Sequence, residues 1–182
     1  MKKLLLFTVP LLVVTLHAAE GKPPATESPL APLTFLVDGV WVGDVPVPKD
    51  QPPLKLEARF AWTENKQGVR FESTFVCGEK RSPYTNGLYA WDGAKAKLVI
   101  FYVNNDGDLT EGVITQENGT LLNNLSVTET SGKTYPVRVR LTKVGEDVFT
   151  NEIFLQKDGA WAPFVTVRYE RRKGTGGGRS RR

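Results

Sequence analysis

Between residues 54 and 63, Leu54, Leu56, Ala58, Phe60 and Trp62 alternate with Lys55, Glu57, Arg59, Ala61 and Thr63. A strict period of two puts one set on a buried face and the other in water, as in a strand covered on one side. A turn at residues 65–68 leads to a second run, in which Val69, Phe71, Ser73, Phe75 and Cys77 alternate with Arg70, Glu72, Thr74 and Val76. The two runs predict a hairpin with Cys77 on its inward face.

The same rhythm continues to residue 172. Strands are expected over residues 87–92, 97–104, 109–116, 120–128, 134–143, 147–156 and 160–172, after a first strand that starts at Val40. Residues 97–104 are apolar on both faces, with Val99, Phe101 and Val103 opposing Leu98, Ile100 and Tyr102. Such a strand is expected to be central or covered on its outer side. Asp92-Gly93, Asn118-Gly119 and Asp158-Gly159 supply the residues that positive-φ hairpin turns favour. Short connections make chain neighbours antiparallel. About ten strands and no long helix in 182 residues predict an all-β, up-and-down antiparallel β-barrel. A barrel of this size either fills its interior with side chains or leaves room for one small ligand.

Ahead of the strands, residues 21–32 hold Pro23, Pro24, Pro29 and Pro32 among small polar residues and read as an extended linker. Ser28-Pro29 is suited to start one helical turn through Leu36. Leu30, Leu33 and Leu36 then fall at helical spacing, where the turn can plug one end of a barrel. The first residues have the layout of an export signal: Lys2 and Lys3, an apolar run over residues 4–16, then small residues at Ala18-Ala19. That run is short for a bilayer span and is interrupted by Pro10. The expected organisation is a signal peptide over 1–19, a Pro-rich linker over 20–33, a barrel over 34–172 and a disordered basic tail over 173–182. The expected location is the periplasm or the outside of a bacterial cell.

Export changes what chemistry is available. Cleavage removes His17, the one histidine, and with it histidine bases, histidine-ligated zinc and histidine-ligated haem. Cys77 is the one cysteine and has no internal disulfide partner. It is either a core thiol or a reactive or intermolecular one. Of the net charge of +4, Lys2 and Lys3 supply two and the tail supplies four, which leaves the body at −2. A weakly acidic body argues against a nucleic-acid face. The tail alone is suited to an anionic envelope surface. Residues 104–108 have a calcium-loop flavour, but Tyr102 and Val113 stand where acidic ligands belong, so a hairpin turn is expected. Asn118-Gly-Thr120 and Asn124-Leu-Ser126 match a glycosylation pattern short enough to arise by chance.

Gly39-Val40-Trp41 stands at the start of the first strand, where a glycine allows close backbone approach and the indole can plug a barrel floor. Together with the turn at residues 30–36, this resembles the opening of lipocalin-like (calycin-type) barrels. Gly87-Leu-Tyr-Ala-Trp-Asp-Gly93, the run 98–102, Asp106-Gly107 and Glu111-Gly112 resemble a group of bacterial exported proteins of unknown function. Those proteins are thought to have a lipocalin-like or fatty-acid-binding-like barrel, and the resemblance covers residues 30–172. It implies that fold here. The chain departs from the pattern in showing no C-terminal helix, a proline-rich segment at 44–53 where fatty-acid-binding barrels have two helices, and adjacent Arg168 and Tyr169 where they have Arg-x-Tyr. Neither carboxylate nor haem binding carries over, and no cofactor is implied.

The expected function is non-enzymatic: an exported barrel that binds a small apolar or amphipathic molecule. Its candidate ligand-binding residues are Trp62, Phe75, Tyr89, Trp91, Tyr102 and Arg168. The aromatics can line a pocket. Arg168, on a face shared with Phe164 and Thr166, is the candidate for an inward group that orients the ligand. Two alternatives stand beside this reading. One is a structural or interaction protein of the envelope with a packed barrel. The other is a barrel enzyme that uses an inward glutamate among Glu111, Glu152 and Glu170.

Overall fold

The computed structural model describes residues 28–172. A 3-10 helix (Ala31–Leu36) precedes ten strands: β1 (Val40–Val45), β2 (Leu54–Trp62), β3 (Gly68–Cys77), β4 (Lys80–Asp92), β5 (Lys97–Asn104), β6 (Leu109–Glu117), β7 (Thr120–Thr128), β8 (Thr134–Gly145), β9 (Val148–Lys157) and β10 (Ala160–Arg172). Each strand pairs antiparallel with its chain neighbour, and β1 pairs with β10 to close the barrel. Closure leaves no unpaired sheet edge. The segments expected to be a signal peptide and a basic tail, and most of the expected linker, lie outside the described residues.

One rim, where β1 begins and β10 ends, is the floor. Ser28 prepares the helix that covers it: its carbonyl accepts from Ala31 N at 2.8 Å and its hydroxyl accepts from Leu30 N at 3.3 Å. Leu33 and Leu36 are fully buried. Trp41 is also fully buried, and its Nε1 donates to the Leu36 carbonyl at 2.8 Å. Phe149 meets the indole edge-on, with centroids 4.8 Å apart, and stacks on Tyr169 at 4.7 Å. These rings make the floor a packed apolar layer.

Arg171 secures that layer from the last strand. Its guanidinium lies 4.2 Å from the Trp41 ring centre. It donates to the carbonyls of Phe35 at 2.7 Å and Val37 at 3.0 Å, and also to that of Asp38. Its Nε is 3.2 Å from Asp147. Carbonyls at and just past the helix end are thus met by Arg171, with that of Leu36 left to Trp41. Gly39 has a φ of +106°, and a Cβ there would sit 3.1 Å from Arg171 Cγ. Glycine supplies both the conformation and the space.

β4 differs from the expected strand. It starts at Lys80, seven residues before the strand read from the sequence. Pro83 has no N–H and reads as a strand breaker, but it sits where the β3–β4 register shifts, between Ser73 and Thr74. Tyr84 is the extra residue of that bulge. β5 is central, paired with β4 and β6, and no described element covers its outer side, where Phe101 and Val103 are about half exposed.

The outer face carries ion pairs. Arg140 grips Glu152 through two bonds of 2.7 and 3.0 Å. Glu57, although on the water-facing row of β2, is only 6% exposed because Arg81 and Arg172 each bond its carboxylate at 2.6 Å. The Arg81 hydrogen bond, reinforced by Arg172 against the opposing effect of burial, holds its pKa down at about 2. This triad ties β2, β4 and β10 together beside the closing seam.

Candidate functional site

Above the floor the inward rows do not meet. They leave a cavity of about 140 Å³ between them. Its aromatic wall is Phe60, Phe71, Tyr89 and Tyr102, with Phe71 at the centre: its ring lies 6.0, 5.1 and 5.7 Å from the other three in that order. Ile100 stands beside Tyr89, and Leu125, Val139, Leu141 and Ile153 complete the lining from β7, β8 and β9. Gly87 makes room for the aromatic wall. A Cβ there would lie 2.4 Å from Tyr102 Cβ and 2.8 Å from Phe71 Cε1.

Polar groups are set into this lining. The bulge in β4 turns Tyr84 and Thr85 to the cavity together, although strand alternation allows only one of two neighbours to face inward. Thr85 shares a 2.5 Å hydroxyl–hydroxyl bond with Ser73. Asn123 on β7 is 1% exposed, and its Nδ2 donates to the Val139 carbonyl at 3.2 Å. Asn151 on β9 also lines the cavity. The buried Oδ1 atoms of both asparagines have no partner among the described residues.

No charged side chain lines the cavity among the described residues. Burial pushes the phenols of Tyr89 and Tyr169 far above their ordinary pKa, with neighbouring phenols adding to the shift. Burial also raises Tyr102, opposed in part by the Thr110 hydroxyl. Burial raises Tyr84, helped by Asp106. The phenols therefore stay neutral and serve as hydrogen-bonding groups. Among the described residues no cluster of three or more His, Cys, Asp or Glu side chains could hold a metal ion. Asn104 and Asp108 instead bond one another and the hairpin backbone.

Of the six residues read from the sequence as ligand-binding, the structure brings Tyr89 and Tyr102 together in the cavity wall. Trp62 packs against the core near the floor and Phe75 meets Tyr84 at a tilt, with centroids 4.4 Å apart; neither lines the cavity. Trp91 continues the row of Tyr89 but ends at the rim, 41% exposed. Arg168 does share a face with Phe164 and Thr166, but that face is the outer one. It pairs with Glu170 at 3.6 Å, while Val167 and Tyr169 carry the inward row. Glu111, Glu152 and Glu170 also stand on outward rows, with Glu152 held by Arg140. Cys77 is half-buried at the end of β3.

Asn123, Asn151, Tyr84, Thr85 and Arg171 were missed. The asparagines had a signal: each interrupts an otherwise apolar alternating row, Leu121, Asn123, Leu125, Val127 on β7 and Phe149, Asn151, Ile153, Leu155 on β9. An amide in such a row is a buried polar group that must find a partner.

No family model matches the chain, and no curated protein sequence does. Among solved structures it is similar to the crystal structure of Rv2717c from M. tuberculosis, with a TM-score of 0.55 and 13% identity. The match covers 81% of this chain and 99% of that one. At that identity the likeness concerns the fold.

Proposed function

We propose that this is an exported, non-enzymatic barrel that holds a small apolar or amphipathic molecule in its interior. The cavity of about 140 Å³ above the sealed floor carries the reading. That volume is close to the roughly 150 Å³ of an engineered protein cavity that accepts benzene. A lining that is mainly aromatic and aliphatic, with a few placed polar groups, is the usual composition of a small-molecule site. The 3-10 turn and the Gly-x-Trp opening fit a calycin-type barrel closed at one end. Export rests on the layout of the first nineteen residues. Charged pairs such as Arg59–Glu72 and Arg140–Glu152 on the outer face favour water around the barrel.

Native mass spectrometry of the protein, purified from its own host without detergent, tests the reading. A reproducible extra mass of one small molecule, lost on denaturation, is the expected result. A bare chain mass across growth conditions would move the weight to a barrel acting through its surface. In that case the exposed Phe101, Val103 and Leu109 on β5 and β6 would be the first residues to examine.

A further inference from the structure

Resting on the reading of the cavity as a binding site, we infer that its ligand is neutral, about the size of a single ring, and carries an N–H or O–H donor that meets Asn123 and Asn151. The cavity volume of about 140 Å³ sets the size. The lack of any charged side chain among its lining residues sets the charge, since an ion there would lose its hydration with no counter-charge to replace it. The two asparagines set the polarity.

Asn123 has no freedom to exchange its amide atoms. Its Nδ2 already donates to the Val139 carbonyl, and a flip would set oxygen against oxygen. Its Oδ1 is therefore fixed as an acceptor, at a side chain that is 1% exposed. Asn151 adds a second buried amide from β9, whose Oδ1 also has no partner among the described residues. The two flank β8: Asn123 is opposite Val139, and Asn151 is opposite Leu141 two residues along. They thus set two buried amides, that of Asn123 fixed with its oxygen free to accept, in the lining of one side of the cavity. An acceptor left without a donor in such a place is unfavourable, and a ligand that supplies the donor removes that penalty. A hydrocarbon of the same shape does not.

The test compares phenol, toluene and benzoate as probes, by NMR titration of the full chain. In a purely apolar cavity toluene binds better than phenol, because phenol gives up its hydrogen bonds to water. Here phenol is expected to bind tighter than toluene by about fivefold or more, as one recovered hydrogen bond implies, and benzoate is expected not to compete. Asn123→Leu is expected to reverse the order of phenol and toluene. Retained toluene binding shows that this variant still folds around its cavity, and Asn151→Leu gives an independent second reading.

Toluene binding as well as phenol to the unsubstituted chain would overturn the inference. So would benzoate binding as tightly as phenol, or an unchanged order in both variants. In those outcomes the cavity still binds and only the donor requirement fails. If none of the three probes binds, the reading of the cavity as a binding site fails with it.

Discussion

Arg171 stacks on Trp41 and donates to the carbonyls of Phe35, Val37 and Asp38, so one side chain joins the last strand, the first strand and the floor helix. Arg171→Met keeps most of the stem and removes the donors. Hydrogen bonds from a charged group contribute about 1.5–3 kcal/mol each, and the orphaned carbonyls here are partly wetted. Arg171→Met is therefore expected to lower stability by about 2–3 kcal/mol in urea unfolding, on that same scale. Arg171→Lys should recover less than half of this, because an ammonium cannot reproduce the fork. Glu57 supplies a pH signature at the same scale. Its folded pKa, about 2, lies below the ordinary 4.5 because Arg81 and Arg172 bond the charged form. Its stabilising effect is thus complete above pH 4.5 and is lost as pH falls toward 2. Glu57→Gln should flatten the acid limb of the stability–pH curve over that window and leave its neutral-to-alkaline limb in shape. An unchanged acid limb would show that the triad contributes nothing.

At the scale of elements, Gly87 lets β4 and β5 approach while Phe71 crosses behind them. A methyl there would lie 2.5 Å from the Phe101 carbonyl as well as against Tyr102 Cβ and the Phe71 ring. Backbone cannot yield as a side chain tip can, so Gly87→Ala is expected to cost about 1–3 kcal/mol, as overpacked cores do. Near-wild-type unfolding of that variant would mean that the strands part easily. The strands themselves were legible because period two and Asn-Gly or Asp-Gly turns are local signals: β5, β7 and β10 have the expected bounds. The start of β4 was not, because Pro83 is a breaker locally and a bulge residue only once β3 lies beside it. The same bulge hid Tyr84 and Thr85, since it breaks the alternation from which inward faces are read. Arg168 was assigned inward from an aromatic neighbour, Phe164, that proves to be 67% exposed. Asn123 and Asn151 were legible in principle as polar breaks in apolar rows. What alone could not be read was that their rows stand on either side of one intervening strand.

The whole molecule is a closed cylinder with one end packed and a neutral, phenol-rich cavity above it. All five tyrosines have raised pKa values, with burial the first cause in each. A phenol whose folded pKa is raised stabilises the fold below its unfolded pKa of about 10, and this is lost as pH rises toward the folded value. Spectrophotometric titration should therefore show little tyrosinate at the pH where free tyrosine is half ionised, and the remaining ionisation should coincide with unfolding. Early ionisation of most phenols would mean an interior open to water. The most direct measurement is an intermolecular NOE experiment on the isotope-labelled full chain with ring-sized probes: toluene, phenol and cyclohexanol. Saturable binding is expected, with NOEs from the probe to methyls of Ile100, Leu125, Val139, Leu141 and Ile153, the aliphatic wall of the cavity. Absence of saturable binding by all three probes, or NOEs confined to the outward Val103 and Leu109, would contradict an interior binding site.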